Sequence, residues 1–218
     1  MASATLTISS RKYSSWSLRA WLLCKMAGLD FAVKTVSIDD PTNRAELLLL
    51  SPSVLVPRLE HDGAKIWDTL SIGEYLAEQF PKAGLLPADR VVRAHCRSVS
   101  GEMHAGFYNL RSALPMNLKA EYKDFKTWAG AKPDIARVFA IWQDCIHAYG
   151  GPFLFGKKPS MADAMYAPVV TRFLTYGVML DDVSKDFCDE IMAWKPMIEW
   201  IAAAKQEPDE LEEVDAEF

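Results

Sequence analysis

Residues 5–38 read TLTISSRKYSSWSLRAWLLCKMAGLDFAVKTVSI, and this stretch decides the fold class. Thr5-Leu6-Thr7-Ile8 alternates polar and apolar residues, the pattern of a short strand. After a polar turn, Trp16 to Ala27 places apolar residues at 18, 22 and 26, the spacing of one helical face. Gly28 stands where a left-handed cap is wanted, and Leu29 follows as its apolar contact. Phe31 to Ile38 is rich in Val, Phe and Ile and reads as a second strand. The resulting βαβ unit makes the two strands parallel.

Downstream, Asn43-Arg44-Ala45-Glu46 has the form of a capping box opening a short helix that stops before Ser51-Pro52. Val56 to Glu60, the turn His61-Asp62-Gly63, and Ala64 to Trp67 then read as a hairpin. A helix carrying Ile72, Leu76 and Phe80 on one face follows. The order β-α-β-α-β-β-α is that of a thioredoxin-like domain, which we assign to residues 1–83.

Residues 88–206 read as an all-helical domain. Val92, Cys96, Val99, Met103, Phe107, Leu110 and Leu114 are spaced by threes and fours, which predicts one long helix ended by Pro115. A second helix spans Ile135 to Tyr149 and stops at Gly150-Gly151. A third opens at Ser160, which forms a capping box with Asp163, and Pro168 is expected to bend it. Shorter helices centre on Phe187 and Ile198. Residues 207–218 are crowded with Asp and Glu and read as a frayed, solvated tail.

The 218 residues are half apolar, enough to build a packed core, and 24% are charged. The net charge of -5 and pI near 5.4 point away from a nucleic-acid-binding tract. No basic segment precedes an apolar run at the N-terminus, and no apolar stretch has the length of a membrane span. Cys24, Cys96, Cys145 and Cys188 form no Cys-x-x-Cys pair and read as buried, reduced thiols. A cytoplasmic location fits them. The four histidines are scattered, so no metal site is expected.

Four signposts in order carry a family resemblance: Tyr13-Ser14-Ser15-Trp16-Ser17-Leu18-Arg19; Leu55-Val56-Pro57-Arg58-Leu59; Asp68-Thr69; and Phe153-Leu154-Phe155-Gly156 with Ser160-Met161-Ala162-Asp163. The chain resembles the cytosolic glutathione transferases of the serine type, with some zeta-like and some beta- and phi-like features. The resemblance implies a thioredoxin-like α/β domain that binds glutathione, joined to an all-α domain that helps hold the electrophile. It also implies a homodimer, the α/β domain of one subunit against the helical domain of the other.

In that family, the residue acting on the glutathione sulfur lies just ahead of the first helix. An ungapped match anchored on Leu18-Arg19 places the phi-like serine at Ser14. The zeta-like Ser-Trp fits Ser15 only with a gap, so Ser14 is the first choice as catalytic residue and Ser15 the second. A hydroxyl there suits the chemistry. A free thiol has a pKa of about 8.5, and lowering it by about two units takes roughly 2.7 kcal/mol of preferential stabilisation of the anion. One charge-assisted hydrogen bond plus the positive end of a helix can supply that. Both serines could equally be plain helix caps.

The resemblance further implies a cis Val56-Pro57 bond whose residue 56 meets the cysteinyl part of glutathione. It implies that Asp68 and Thr69 hold the γ-glutamyl end, the acid against its ammonium and the hydroxyl against its carboxylate. Leu55 replaces the usual Lys or Gln, which leaves the glycyl carboxylate to Arg44 or Lys34. Tyr108 and Arg111, three apart beside the core stripe, are substrate-binding candidates. Arg19 is expected to be structural, pairing across the domain boundary. Glutathione is thus the implied co-substrate, with a small electrophile as second partner. A zeta-like cis–trans isomerase and a non-catalytic binding protein are the alternatives.

Overall fold

A computed structural model describes residues 4–36, 55–122 and 124–208. The readings at 37–38, at the capping box of Asn43, at Arg44 and at most of the tail lie outside the described residues. The chain begins with β1 (Ala4–Ile8), α1 (Ser15–Ala27) and β2 (Phe31–Thr35), then β3 (Arg58–His61), β4 (Ala64–Trp67) and α2 (Thr69–Gln79). The strand order is β2-β1-β3-β4, with β1 parallel to β2 and antiparallel to β3. Leu6 is paired with Val33 on one side and Leu59 on the other, and Leu6 and Leu59 are fully buried. Gly28 adopts φ 69 and closes α1 by donating to the carbonyls of Cys24 and Lys25, the left-handed cap its sequence position required.

The helical part contains α3 (Arg90–Ala105), α4 (Tyr108–Ala113), α5 (Lys132–Tyr149), α6 (Met161–Thr175), α7 (Asp182–Ala193) and α8 (Lys195–Lys205). The single long helix expected through Leu114 is broken between α3 and α4. Gly106 ends α3 by donating to Glu102, and Phe107 takes a left-handed conformation at φ 59. A side chain at 106 would put its Cβ 2.7 Å from the Glu102 oxygen. The apolar spacing survives because Met103, Phe107, Leu110 and Leu114 are all buried on both sides of the break. Residues 114–122 and 124–128 run mainly as irregular chain, also unlike the expectation of helix throughout.

The hydrophobic core continues from the sheet into the helical bundle through α1, which packs against both α2 and α6. Helix α6 is buried almost all round, and Pro168 lies inside it. Its start is the anticipated capping box: Asp163 accepts from the Ser160 N–H at 2.7 Å and hydroxyl at 2.7 Å, and from the Leu154 N–H at 2.8 Å. The Met161 N–H donates to the carbonyl of Leu85, tying α6 to the segment after α2. No described helix is long and apolar enough to cross a membrane.

Candidate active site

The loop between β1 and α1 is held from the helical side. The Glu207 carboxylate accepts from the Ser10 hydroxyl at 2.8 Å and from the backbone N–H groups of Arg11 and Lys12 at 2.9 and 3.1 Å. Trp200 donates its indole N–H to the Arg11 carbonyl at 3.0 Å, and the Leu118 N–H donates to Lys12. The first residue of the expected solvated tail is therefore docked. Its carboxylate meets a row of N–H donors that no helix or strand satisfies.

The two serines that follow differ in their contacts. Ser14 is the N-cap of α1: its Oγ accepts from the Ser17 N–H at 3.2 Å and donates to Ser17 Oγ at 2.8 Å. Ser15, the first helical residue, is buried and accepts from Arg172 Nη2 at 3.2 Å. Its own proton remains available for a further acceptor.

Arg172, on α6, gives its other terminal nitrogen to the carbonyls of Arg111 and Leu114 at 2.9 and 2.7 Å, capping α4. Arg19, on α1, donates to the Met165 carbonyl at 2.7 Å, so it ties α1 to α6 as its expected structural role requires. The guanidiniums of Arg19 and Arg111 lie 4.5 and 4.8 Å from the ring centre of Trp16. Burial, with Arg111 adding repulsion, pushes Arg172 down to about 10. Burial first, then Arg172 and Arg111, pushes Arg19 well below its ordinary value. Among the described residues, no carboxylate stands within ion-pair distance of any of the three.

The second cluster opens α2. Asp68 sits at φ 75, and its Oδ1 accepts from the N–H groups of Leu70 and Ser71 at 2.9 and 3.2 Å. Its Oδ2 lies 3.0 Å from His104 Nε2 on α3. His104 in turn meets Trp16 edge to face at 5.2 Å, which links the two clusters. Thr69 is buried, and its hydroxyl has no hydrogen-bond partner. A buried hydroxyl without a partner, beside an N-cap at positive φ, has a donor to offer a bound acceptor. The Val56-Pro57 bond is cis.

Of the remaining candidates, Tyr108 is 76% exposed and Arg111 is half-buried. Lys34 is exposed on β2, and Leu55 is exposed as well. Burial raises the pKa of all four thiols, Cys96 to about 11 and Cys145 to about 12, so none supplies a thiolate near neutral pH. Among the described residues, no group of three or more His, Cys, Asp or Glu is arranged to hold a metal. Sequence reasoning missed Arg172, His104 and Glu207. Arg172 had one weak signal, a lone cation in the otherwise uncharged run Val169 to Leu174.

Family models match both parts of the chain. Residues 13–79 match the glutathione S-transferase N-terminal domain and residues 109–203 the glutathione S-transferase C-terminal domain. The chain is 29% identical over 165 residues to a probable maleylacetoacetate isomerase of Caenorhabditis elegans, covering 73% of this chain and 74% of that one. It is 27% identical over 172 residues to glutathione S-transferase 1 of Dianthus caryophyllus, covering 78% of each. A glutathione transferase homologue from Burkholderia, solved with bound glutathione, superposes with a TM-score of 0.70 at 22% identity, covering 94% of this chain and 99% of that one. A thioredoxin-like sheet, a helical bundle and a hydroxyl-bearing start to α1 thus meet in one chain, and the protein belongs to the glutathione transferase family.

Proposed function

We propose that the protein binds glutathione with its γ-glutamyl end at Thr69 and Asp68, ionises the thiol beside Ser15, and adds the thiolate to a small electrophile held on the helical side. Ser15 carries this reading. Ser14 already gives its proton to Ser17, whereas Ser15 is polarised by a buried guanidinium and keeps its own proton. That hydroxyl can donate to a sulfur anion, and the uncompensated charge of Arg172 favours the anion further. The orphan Thr69 hydroxyl supplies a donor for the γ-glutamyl carboxylate. Asp68 has one oxygen committed to capping and one to His104, so its contact with the glutathione ammonium shares the second oxygen.

A cis–trans isomerase is the second reading, favoured by the likeness to the probable maleylacetoacetate isomerase of Caenorhabditis elegans. The same thiolate would add to an activated double bond, allow rotation about the resulting single bond, and leave again. A cytoplasmic homodimer suits either reading. The test is glutathione-affinity chromatography followed by turnover with chlorodinitrobenzene and with a cis-configured activated alkene. Transfer to the first supports the transferase, isomerisation of the second the isomerase, and retention on glutathione without either turnover the non-catalytic alternative.

A further inference from the structure

We propose that the loop from Ser10 to Lys12 is an oxyanion-binding nest which the chain fills with its own Glu207. A free carboxylate can take the place of Glu207 there, and the activity at Ser15 follows the occupancy of the nest. The consequence for Ser15 rests on the function proposed above, whereas the nest itself does not.

The donors come from residues in a row. Ser10 Oγ donates to Glu207 Oε2 at 2.8 Å, and the Arg11 N–H reaches Oε1 and Oε2 at 2.9 Å each. The Lys12 N–H reaches Oε2 at 3.1 Å, and the Arg11 guanidinium adds a positive charge 3.5 Å from Oε1. Successive backbone N–H groups turned toward one point make a concave anion site, and a carboxylate there gains charge-assisted bonds. The backbone of Glu207 is committed elsewhere: its N–H donates to Ala204, and its carbonyl accepts from Lys119 Nζ. The carboxylate is therefore a separable ligand. Removing it leaves the end of α8 tied down and the donors of the loop without their acceptor.

Ser10 passes the occupancy of the nest to the start of α1. Its hydroxyl donates to Glu207 and accepts from the N–H groups of Lys12 and Tyr13 at 3.0 and 3.2 Å, which uses its full capacity. Its carbonyl accepts from the Ser14 N–H at 3.1 Å. Ser14 caps α1, and Ser15 is the first residue of that helix. With the nest empty, the Arg11 N–H gains by turning toward water, and Ser10 moves with it. In the intact chain Glu207 is tethered beside the nest and outcompetes free anions.

Glu207→Ala removes a methylene and a carboxylate, a gap with the shape of acetate. Acetate is the probe, with acetamide as its uncharged counterpart and chloride at matched ionic strength. Turnover of whichever of the two electrophiles above the wild type accepts should fall several-fold in the variant. It should recover saturably with acetate and not with acetamide or chloride, while the wild type should not respond. Without glutathione, acetate should raise the unfolding midpoint of Glu207→Ala above its value in chloride, and should leave the wild type where chloride puts it. Glu207→Asp, which keeps the charge on a shorter arm, should retain part of the turnover with no acetate added. A midpoint that acetate raises no further than chloride overturns the nest. A raised midpoint without recovered turnover overturns its hold on Ser15. If the wild type neither binds glutathione nor turns over, the proposed function falls, and the midpoint comparison still decides the nest.

Discussion

His104 Nε2 lies 3.0 Å from Asp68 Oδ2, so the start of α2 in the α/β part is joined to the long helix of the helical part by one side-chain pair. The same carboxylate caps α2 through its other oxygen. Asp68→Asn separates the two uses, since the amide keeps an oxygen for the cap and loses the charge. Calorimetry should show glutathione binding weakened by roughly 1.5–3 kcal/mol, the value of a hydrogen bond to a charged group. Unchanged affinity would assign Asp68 to capping and to the tie with His104 only.

The serines should part company under titration. Ser15→Ala removes a hydrogen bond worth about 1.5–3 kcal/mol to the thiolate, which is about one to two pKa units. The thiolate absorbance of bound glutathione should therefore titrate at higher pH, with turnover partly recovered in alkali. Ser14→Ala should leave that titration in place and cost about 1 kcal/mol of stability as a lost cap. The reverse pattern would restore Ser14 as the sulfur ligand.

Asp163 links stability to pH. Burial pushes its pKa up to about 6, against three donors that favour the anion. The unfolded value is about 3.9, so the folded state binds the extra proton between the two. The stabilisation this provides is complete below the unfolded value and is lost as pH rises through about 6. Asp163→Asn should flatten that slope in unfolding midpoints measured from pH 4 to 7. It should also lower stability by about 2–4 kcal/mol, because an amide N–H₂ turns a donor toward Ser160 or Leu154.

Glu207 can be tested by two truncations. Ending the chain after Pro208 should leave turnover and unfolding unchanged. Ending it after Gln206 removes the carboxylate that organises Ser10, Arg11 and Lys12. Turnover should fall several-fold while light scattering still reports a dimer. Equal activity of the two truncations would make the Glu207 contact incidental.

The residues that the sequence revealed sit in contiguous patterns. The βαβ unit of residues 5–38 follows from local periodicity and one glycine cap, and the Ser160 box from four adjacent residues. The break at Phe107 was invisible because apolar spacing continues across it. Ser14, Ser15, Thr69 and Val56-Pro57 became candidates from short motifs, through the family resemblance those motifs carry. Arg172 and Glu207 were not, since their partners lie 157 and 196 positions away. Acidic composition around Glu207 suggested solvation. It could not show that an unoccupied row of N–H groups waits at the opposite end of the chain.

That distance sets an order of events during synthesis. The sheet, α1 and α2 can assemble while the chain is little more than a third made, since N-terminal domains generally fold first as they leave the ribosome. The loop ahead of Ser15 cannot take its final form until residue 207 has been translated and has returned to it. A nascent chain therefore carries a finished scaffold with an unfinished site. Under the proposed function, a thiolate would form only in molecules whose helical part is already in place to receive what it attacks.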